Sequence, residues 1–157
     1  MSVIVVANPK GGVGKSTLAT HVAGPLAKAG HAVMLGDVDR QQSSRQWLAL
    51  RPPQLPLIRS WEVSHHDIVR PPKGTTHVVL DTPAGLHGKR LDAVLRIATK
   101  MLIPLQPSLF EWTTHSSCNV WCPKLLLQPA RSASTFWSRS RTSESGFIRA
   151  LRSCIRF

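Results

Sequence analysis

A glycine-rich segment, KGGVGKST at residues 10–17, constrains the fold of this chain more than any other feature of its sequence. It follows a short β-branched apolar run, VIVVA at residues 3–7, which is typical of a buried parallel strand. It leads into residues 16–29, where apolar side chains recur at helical spacing up to a stop signal at Gly30. A strand, a glycine-rich turn and a helix in this order predict an α/β fold with an anion-binding loop.

Further apolar runs predict the rest of the sheet. Strands are predicted at residues 32–35, 55–60, 77–80 and 101–105, and a second helix is predicted at residues 86–100. Because strands alternate with helices, we expect a parallel sheet with helices on both faces. With the glycine-rich loop after the first strand, this arrangement resembles the fold of a P-loop NTPase. No sixth strand is visible in the sequence, so the sheet is predicted to be truncated after its fifth strand.

The loop has the chemistry that phosphate binding needs. Glycines let backbone N–H groups turn inward around an anion, and the helix N-terminus adds partial positive charge. The Lys15 ammonium can reach β- and γ-phosphates, and the Ser16 hydroxyl can ligate Mg²⁺. Pro9 occupies the first glycine position of the common pattern, and Lys10 adds a second lysine to the loop. The predicted nucleotide-binding residues are Gly11, Gly12, Val13, Gly14, Lys15, Ser16 and Thr17.

Three segments in this order resemble the ParA/MinD family of deviant Walker A ATPases. KGGVGKST resembles the deviant Walker A motif, and GDVDRQQS at residues 36–43 resembles the D-x-D-P-Q-x-[NS] loop. VVLDTPAG at residues 78–85 resembles the Walker B strand with its D-T-P-P sequence. The resemblance covers residues 1–110. Within the family, the chain resembles the short ParA-type partition ATPases, since its loop begins near residue 8. Arg40 departs from the family, which usually has proline there.

The resemblance implies roles for the lysines and the serine of the loop. Lys15 holds the β- and γ-phosphates of ATP, and Ser16 coordinates Mg²⁺. Lys10 is the signature lysine, which reaches across an ATP-bound homodimer to the phosphates of the partner and neutralises their charge. Both lysines are therefore expected to take part in catalysis.

Three aspartates complete the expected site. The resemblance implies that Asp39 orients the attacking water, that Asp81 helps to hold Mg²⁺ through water, and that Asp37 supports the metal site. The residues themselves agree in outline, because Asp37 and Asp81 end predicted parallel strands and so lie at the carboxyl edge of the sheet. A structural alternative remains open, in which these aspartates cap turns.

The composition changes sharply near Phe110. Residues 1–110 contain 13 Lys and Arg, 6 Asp and Glu and no cysteine, whereas residues 111–157 contain all three cysteines and three of the five tryptophans. The sequence therefore predicts a P-loop ATPase domain at 1–110 and an atypical Ser/Arg/Trp/Cys tail at 111–157, frame-shifted or disordered. The coding DNA tests the hypothesis of a shifted reading frame, because an unbroken original frame would contradict it.

Charge and resemblance together set the functional expectations. The formal net charge of +12 favours acidic partners, namely nucleic acid, nucleotide phosphates or an anionic membrane. The resemblance implies an ATPase with ATP and Mg²⁺ as cofactors, ATP-dependent dimerisation, non-specific DNA binding, a ParB-like stimulating partner and a role in plasmid or chromosome partition. No signal peptide or long apolar run is present, so a cytoplasmic, nucleoid-associated protein is expected.

Two alternatives remain beside the partition ATPase. The first is a truncated nucleotide-binding fragment without catalytic activity. The second is a MinD-like membrane-surface ATPase, since residues 147–155 carry an apolar stripe at helical spacing with arginines off the stripe. Salt-dependent DNA binding that needs ATP distinguishes the partition ATPase, and liposome binding through residues 147–157 distinguishes the membrane ATPase.

Overall fold

The computed structural model describes residues 1–63 and 71–104 in full, together with the backbone of residues 134–136. Its elements are β1 (Ser2–Val6), α1 (Lys15–Lys28), β2 (Val33–Asp37), α2 (Ser43–Ala49), β3 (Ile58–Trp61), β4 (His77–Asp81), α3 (Gly88–Ile97), β5 (Lys100–Leu102) and β6 (Ser134–Phe136). All neighbouring strands pair in parallel, in the order β3-β2-β4-β1-β5-β6. The predicted parallel α/β sheet is confirmed.

Strand β1 lies inside the sheet and is buried on both faces. Val3 and Val5 belong to a hydrophobic cluster that includes the apolar side of α3, whereas Ile4 and Val6 belong to a second cluster with α1. Because successive side chains of a strand point to opposite faces, this alternation requires a helix layer on each side of the sheet. The expected helices on both faces are therefore confirmed, and β1 delivers its glycine-rich loop from the centre of the sheet.

Helix α1 has glycines at both of its ends. Gly14 precedes its first residue in the left-handed conformation, with φ 82°. At the other end Gly30 has φ 85°, its N–H donates to Ala27 O, and the His31 N–H donates to Leu26 O, which is a Schellman motif. Pro25 lies inside the helix but is exposed, so water can replace the hydrogen bond that its ring removes.

The structure differs from the sequence-based prediction in its shorter elements. The sequence predicts no helix at α2, because seven residues are too few for helical spacing to show. Helix α3 is shorter than the predicted span of residues 86–100, because Ala98 adopts an extended conformation that leads into β5.

The sheet also continues beyond the expected fifth strand. Strand β6 pairs with β5 along its whole length, from Lys100 opposite Ser134 to Leu102 opposite Phe136. A strand of three residues is too short to be recognised as an apolar run, which explains why the sequence shows no sixth strand. The other residues from 105 onward lie outside the described part of the chain, so the nature of the 111–157 tail stays a prediction.

Candidate functional site

The strand order brings the sequence-predicted residues to one edge of the sheet. Strand β4 lies between β1 and β2, so that Asp81 is in register with Val6 on one side and with Asp37 on the other. The glycine-rich loop leaves β1 directly after Val6. In open parallel sheets, ligands bind outside the carboxyl ends of the strands, where the connections diverge. The loop and two of the three predicted aspartates therefore share the edge at which a ligand is expected.

The glycine-rich loop closes around the side chain of Lys15. Gly12 and Gly14 have φ of 73° and 82°, a conformation that a side chain would strain. Lys15 is only 7% exposed, and its Nζ donates a hydrogen bond of 2.8 Å to the Lys10 carbonyl. Val13 is buried beneath the loop, whereas Lys10 itself is exposed. The lysine is thus held inside the loop, at the start of α1.

Asn8 anchors this loop to the sheet and was missed by sequence reasoning. Its side chain is 5% exposed, and its Nδ2 donates to the Pro104 carbonyl at 2.7 Å. Its Oδ1 accepts the Lys10 N–H at 2.8 Å. The Gly85 N–H, from the segment after β4, donates to the Pro9 carbonyl at 2.8 Å. The signal available in the sequence was a polar amide directly between a buried strand and the loop.

Asp81 is fully buried and only partly satisfied. Its Oδ2 accepts a hydrogen bond of 2.6 Å from the Ser44 hydroxyl, whereas its Oδ1 has no hydrogen-bond partner among the described residues. Burial raises the pKa of this carboxyl, and the facing hydroxyls of Ser16 and Ser44 partly oppose the rise. A buried carboxylate oxygen without a partner is costly, so it suits a site that a cation completes.

The ammonium of Lys15 interacts electrostatically with the carboxyl of Asp81. Burial lowers the pKa of the Lys15 ammonium, while the negative charges of Asp81 and Asp39 act to raise it. A partly desolvated ammonium interacts more strongly with an anion than one in bulk water does. The loop therefore presents a positive group, backbone N–H groups and a helix N-terminus to the same region.

Asp37 uses its carboxylate to organise the segment after β2. Its Oδ1 accepts the Asp39 N–H at 2.9 Å, and its Oδ2 accepts the N–H groups of Ser44 at 2.9 Å and Arg45 at 3.3 Å. Burial raises its pKa, and these three hydrogen bonds oppose the rise. The last two donors belong to the first turn of α2, so Asp37 caps this helix from a neighbouring strand.

Asp39 lies on the loop between β2 and α2, with partial exposure. Its Oδ1 accepts the Gln41 N–H at 3.1 Å, and its carbonyl accepts the Gln42 N–H at 3.2 Å. Gln42 has φ 49°, a left-handed conformation that is uncommon for a non-glycine residue. Asp39 and Arg40 face residues 83–90 across a cavity of about 490 Å³. The loop is therefore tightly turned beside open space.

The donor set at this edge fits Mg²⁺. Hydroxyl and carboxylate oxygens of Ser16, Asp37 and Asp81 are hard ligands of the kind that Mg²⁺ prefers, and the unpartnered Oδ1 of Asp81 is available to the ion or to its water. In the described part of the chain, no three His, Cys, Asp or Glu side chains are grouped to hold a metal by themselves.

A glycine-rich loop, a buried lysine and a buried aspartate at the carboxyl edge of a parallel sheet define a P-loop nucleotide-binding domain. A sequence model of the CobQ/CobB/MinD/ParA nucleotide binding domain matches residues 4–149, and the chain belongs to this family. The ParA/MinD resemblance of the motifs is thereby confirmed, as is the P-loop NTPase fold. This match extends past residue 110, where the resemblance predicted from the sequence ended.

The chain is also similar to individual proteins. The chain is 35% identical over 108 residues to the maintenance of carboxysome distribution protein A of Gloeobacter kilaueensis, which covers 68% of this chain and 50% of that protein. The chain therefore matches about half the length of this curated relative. The solved structure of pNOB8 ParA bound to nonspecific DNA is 17% identical, with a TM-score of 0.62 over 98% of this chain and 74% of that chain. A chain of the MinC:MinD cell division protein complex of Aquifex aeolicus is 21% identical, with a TM-score of 0.48 over 76% of this chain and 65% of that chain.

The described helices are short: none of those within residues 1–63 and 71–104 is long and apolar enough to cross a membrane.

Proposed function

We propose that this domain is a ParA-like ATPase that acts in plasmid or chromosome partition. It binds Mg-ATP, dimerises on ATP, binds DNA non-specifically and releases it on slow hydrolysis. The observation that carries the proposal is the pairing of a loop-enclosed Lys15 with a buried, half-satisfied Asp81 in a chain of the ParA/MinD family. The triphosphate would neutralise the charge of Lys15, and its cation would neutralise the charge of Asp81.

The loop residues bind the nucleotide in this proposal. The Lys15 ammonium, now 2.8 Å from the Lys10 carbonyl, turns to the β- and γ-phosphates, and the N–H groups of residues 11–17 surround them. Ser16 and Asp81, supported by Asp37, would hold Mg²⁺, which supplies charge neutralisation between the phosphates.

Hydrolysis depends on groups at the rim of the site. Asp39 orients the attacking water, and its position on a loop between β2 and α2 lets it approach the γ-phosphate when the loop moves. In this proposal Lys10 reaches the phosphates bound by a second copy, and its exposure at the start of the loop supports this role. Arg40, where the family usually has proline, adds a positive charge beside Asp39.

DNA is the proposed matrix because the chain carries a net charge of +12. Such a charge supports phosphate contacts without sequence preference. A solved structure of the same fold is bound to nonspecific DNA, which supports DNA as the matrix. A relative is described as maintaining carboxysome distribution, which supports a role in positioning a cargo. A ParB-like partner that stimulates hydrolysis and a nucleoid-associated location in the cytoplasm belong to this proposal.

The test is the fluorescence anisotropy of a labelled duplex of arbitrary sequence, titrated with the purified chain. Binding is expected with Mg-ATP, is expected to weaken steeply with salt, and should be absent with ADP and in Lys15→Ala. DNA binding that ignores the nucleotide would contradict the proposal.

The two alternatives give different results in the same preparation. A chain that binds ATP without turnover and without DNA binding would be the non-catalytic fragment. Binding to anionic liposomes that is lost on deletion of residues 147–157 would indicate the MinD-like ATPase. Those residues lie outside the described part of the chain, so no structural observation favours the membrane.

A further inference from the structure

Two neighbouring serines begin helix α2, and they lie in opposite environments. Ser44 is completely buried, whereas Ser43 is exposed. A buried hydroxyl in the first turn of a short helix needs a partner, because an unsatisfied polar group costs about 1–3 kcal/mol. The partner of Ser44 is not in its own helix.

Ser44 contacts the two aspartates that end neighbouring strands. Its hydroxyl donates to Asp81 Oδ2 at 2.6 Å, and its N–H donates to Asp37 Oδ2 at 2.9 Å. Asp37 and Asp81 are in register on β2 and β4. One residue therefore links the first turn of α2 to both acidic groups at the carboxyl edge.

The contact with Asp81 has the geometry of a charge-assisted hydrogen bond. An O–H···O⁻ bond is typically 2.5–2.7 Å long, shorter and stronger than a bond between neutral groups. Because an ionised carboxylate only accepts, the Ser44 hydroxyl must be the donor. The bond occupies Oδ2 and restrains the carboxylate, and Oδ1 is left without a partner in a fully buried position.

We propose that Ser44 is a positioning residue that restrains the Asp81 carboxylate so that Oδ1 stays available to the hydrated Mg²⁺ of the bound nucleotide. Groups of this kind, which orient a metal-binding carboxylate without contacting the metal, commonly change metal affinity 10- to 100-fold when removed. Because α2 directly follows the loop that carries Asp39, the same hydrogen bond makes Mg²⁺ binding sensitive to the position of that loop. The inference rests on the proposed binding of Mg-ATP.

The experiment measures ATP affinity calorimetrically over a series of free Mg²⁺ concentrations, including EDTA alone. The variants are Ser44→Ala and the control Ser60→Ala, an exposed serine on the edge strand β3. Ser44→Ala is expected to bind ATP in EDTA within about twofold of the wild type, but to need about tenfold more Mg²⁺ for half of the metal-dependent tightening. Ser60→Ala is expected to follow the wild-type curve.

Two results would overturn the inference. One is a Mg²⁺ dependence of Ser44→Ala that equals the wild type, and the other is an equal loss of ATP affinity in EDTA and in Mg²⁺. If circular dichroism shows that Ser44→Ala does not fold, Ser44→Cys, which has similar volume and a weaker donor, is tested against the same two results. A wild-type chain that binds no ATP would contradict the proposed function instead, so the two failures are distinguishable.

Discussion

The polar groups at the two edges of the same sheet differ in burial and in hydrogen bonding. At the carboxyl edge, Lys15, Asp37 and Asp81 are charged groups that burial makes harder to ionise, and one oxygen of Asp81 has no hydrogen-bond partner among the described residues. At the amino edge, the hydroxyls of Thr76 and Thr99 are hydrogen-bonded to the backbone, and His77 is the buried titratable group. Both edges belong to the same strands, so this difference between their polar groups comes from the particular residues at each edge and not from the fold class.

The amino edge is organised around Thr99, between α3 and β5. Its hydroxyl accepts the Val3 N–H at 2.8 Å and lies 2.9 Å from the Val3 carbonyl and 3.2 Å from the Ser2 hydroxyl. On the other side of β4, Thr76 Oγ1 donates to the Ala32 carbonyl at 3.2 Å. Thr99 is half-buried and Thr76 is exposed, and a neutral hydroxyl that is hydrogen-bonded to the backbone costs little free energy in either position.

The comparison teaches that this molecule separates stability from ligand binding. Buried charges and an unpartnered carboxylate oxygen disfavour the folded state until a ligand compensates them, which is typical of functional sites. Satisfied hydroxyls at the other edge hold the strands in register. Substitutions at the two edges should therefore separate ATP affinity from the free energy of unfolding.

The largest expected effect is on ATP affinity in Lys15→Ala. Removing the enclosed ammonium should weaken ATP binding at least about 100-fold, because the phosphates lose their charged partner. Thermal unfolding should change little, since the lysine side chain is itself partly desolvated in the folded state. Calorimetry and a thermal scan measure both. Lys28→Ala, an exposed position on the same helix, is the control and should match the wild type.

Asn8→Ala should affect both quantities, because Asn8 is a satisfied polar group within the carboxyl edge. Loss of its hydrogen bonds to Pro104 and Lys10 should lower the free energy of unfolding by about 1–3 kcal/mol. The loop should also lose its anchor, so ATP affinity should fall. Urea unfolding and ATP titration test this. An unchanged affinity in a destabilised protein would show that the loop does not depend on this anchor.

Thr99→Val should reduce stability alone. The substitution keeps the shape of the side chain but leaves the Val3 N–H without its acceptor, at a cost of about 1 kcal/mol in urea unfolding. ATP affinity should stay within about twofold of the wild type, because Thr99 lies at the edge opposite to the loop. A marked loss of ATP affinity would contradict the separation of the two edges.

The smallest expected effect is the pH dependence that His77 contributes at the amino edge. Burial lowers its pKa, and so do the positive charges of nearby His31, Lys100 and the N-terminus. The unfolded chain therefore binds this proton at a higher pH than the folded chain does. The contribution of His77 to the free energy of unfolding is fully present above about pH 6.5 and is lost as the pH falls below that value. The contribution of His77 should therefore lower the thermal midpoint between pH 7.5 and pH 5.

His77→Gln separates this effect from the carboxyl edge. Burial raises the pKa of Asp37 and Asp81, so their protonation adds stability as the pH falls, opposite in sign to His77. The difference between wild type and His77→Gln, measured at each pH, isolates the histidine. If the two proteins have parallel pH profiles, His77 does not contribute to the pH dependence of stability.

Much of the fold and part of the site could be predicted from local sequence. The buried strand β1, the loop and helix α1 follow from consecutive residues, because apolar runs, glycines and helical spacing act over a few positions. The placement of Asp37 and Asp81 at one edge followed from parallel pairing. Their roles, like those of Lys10 and Asp39, stay predictions that the experiments above test.

What the local pattern could not show depends on contacts between distant residues. Helix α2 begins where a strand-end carboxylate, Asp37, receives its first N–H groups, and this cannot be read from seven residues with little periodicity. Strand β6 exists because β5 offers it an edge to pair with. In both places a short segment becomes ordered only when a partner satisfies its backbone.

The sequence by itself determined the class of fold, the glycine-rich loop and the family, because each of these depends on contiguous motifs whose chemistry is local. Only the tertiary structure decided which polar groups the site is built from. Asn8 reaches Pro104 across 96 positions, and Ser44 reaches Asp81 across 37, and neither pairing has a signature in the sequence. The physical reason is that a buried donor must find an acceptor, and packing rather than sequence distance determines which acceptor is near.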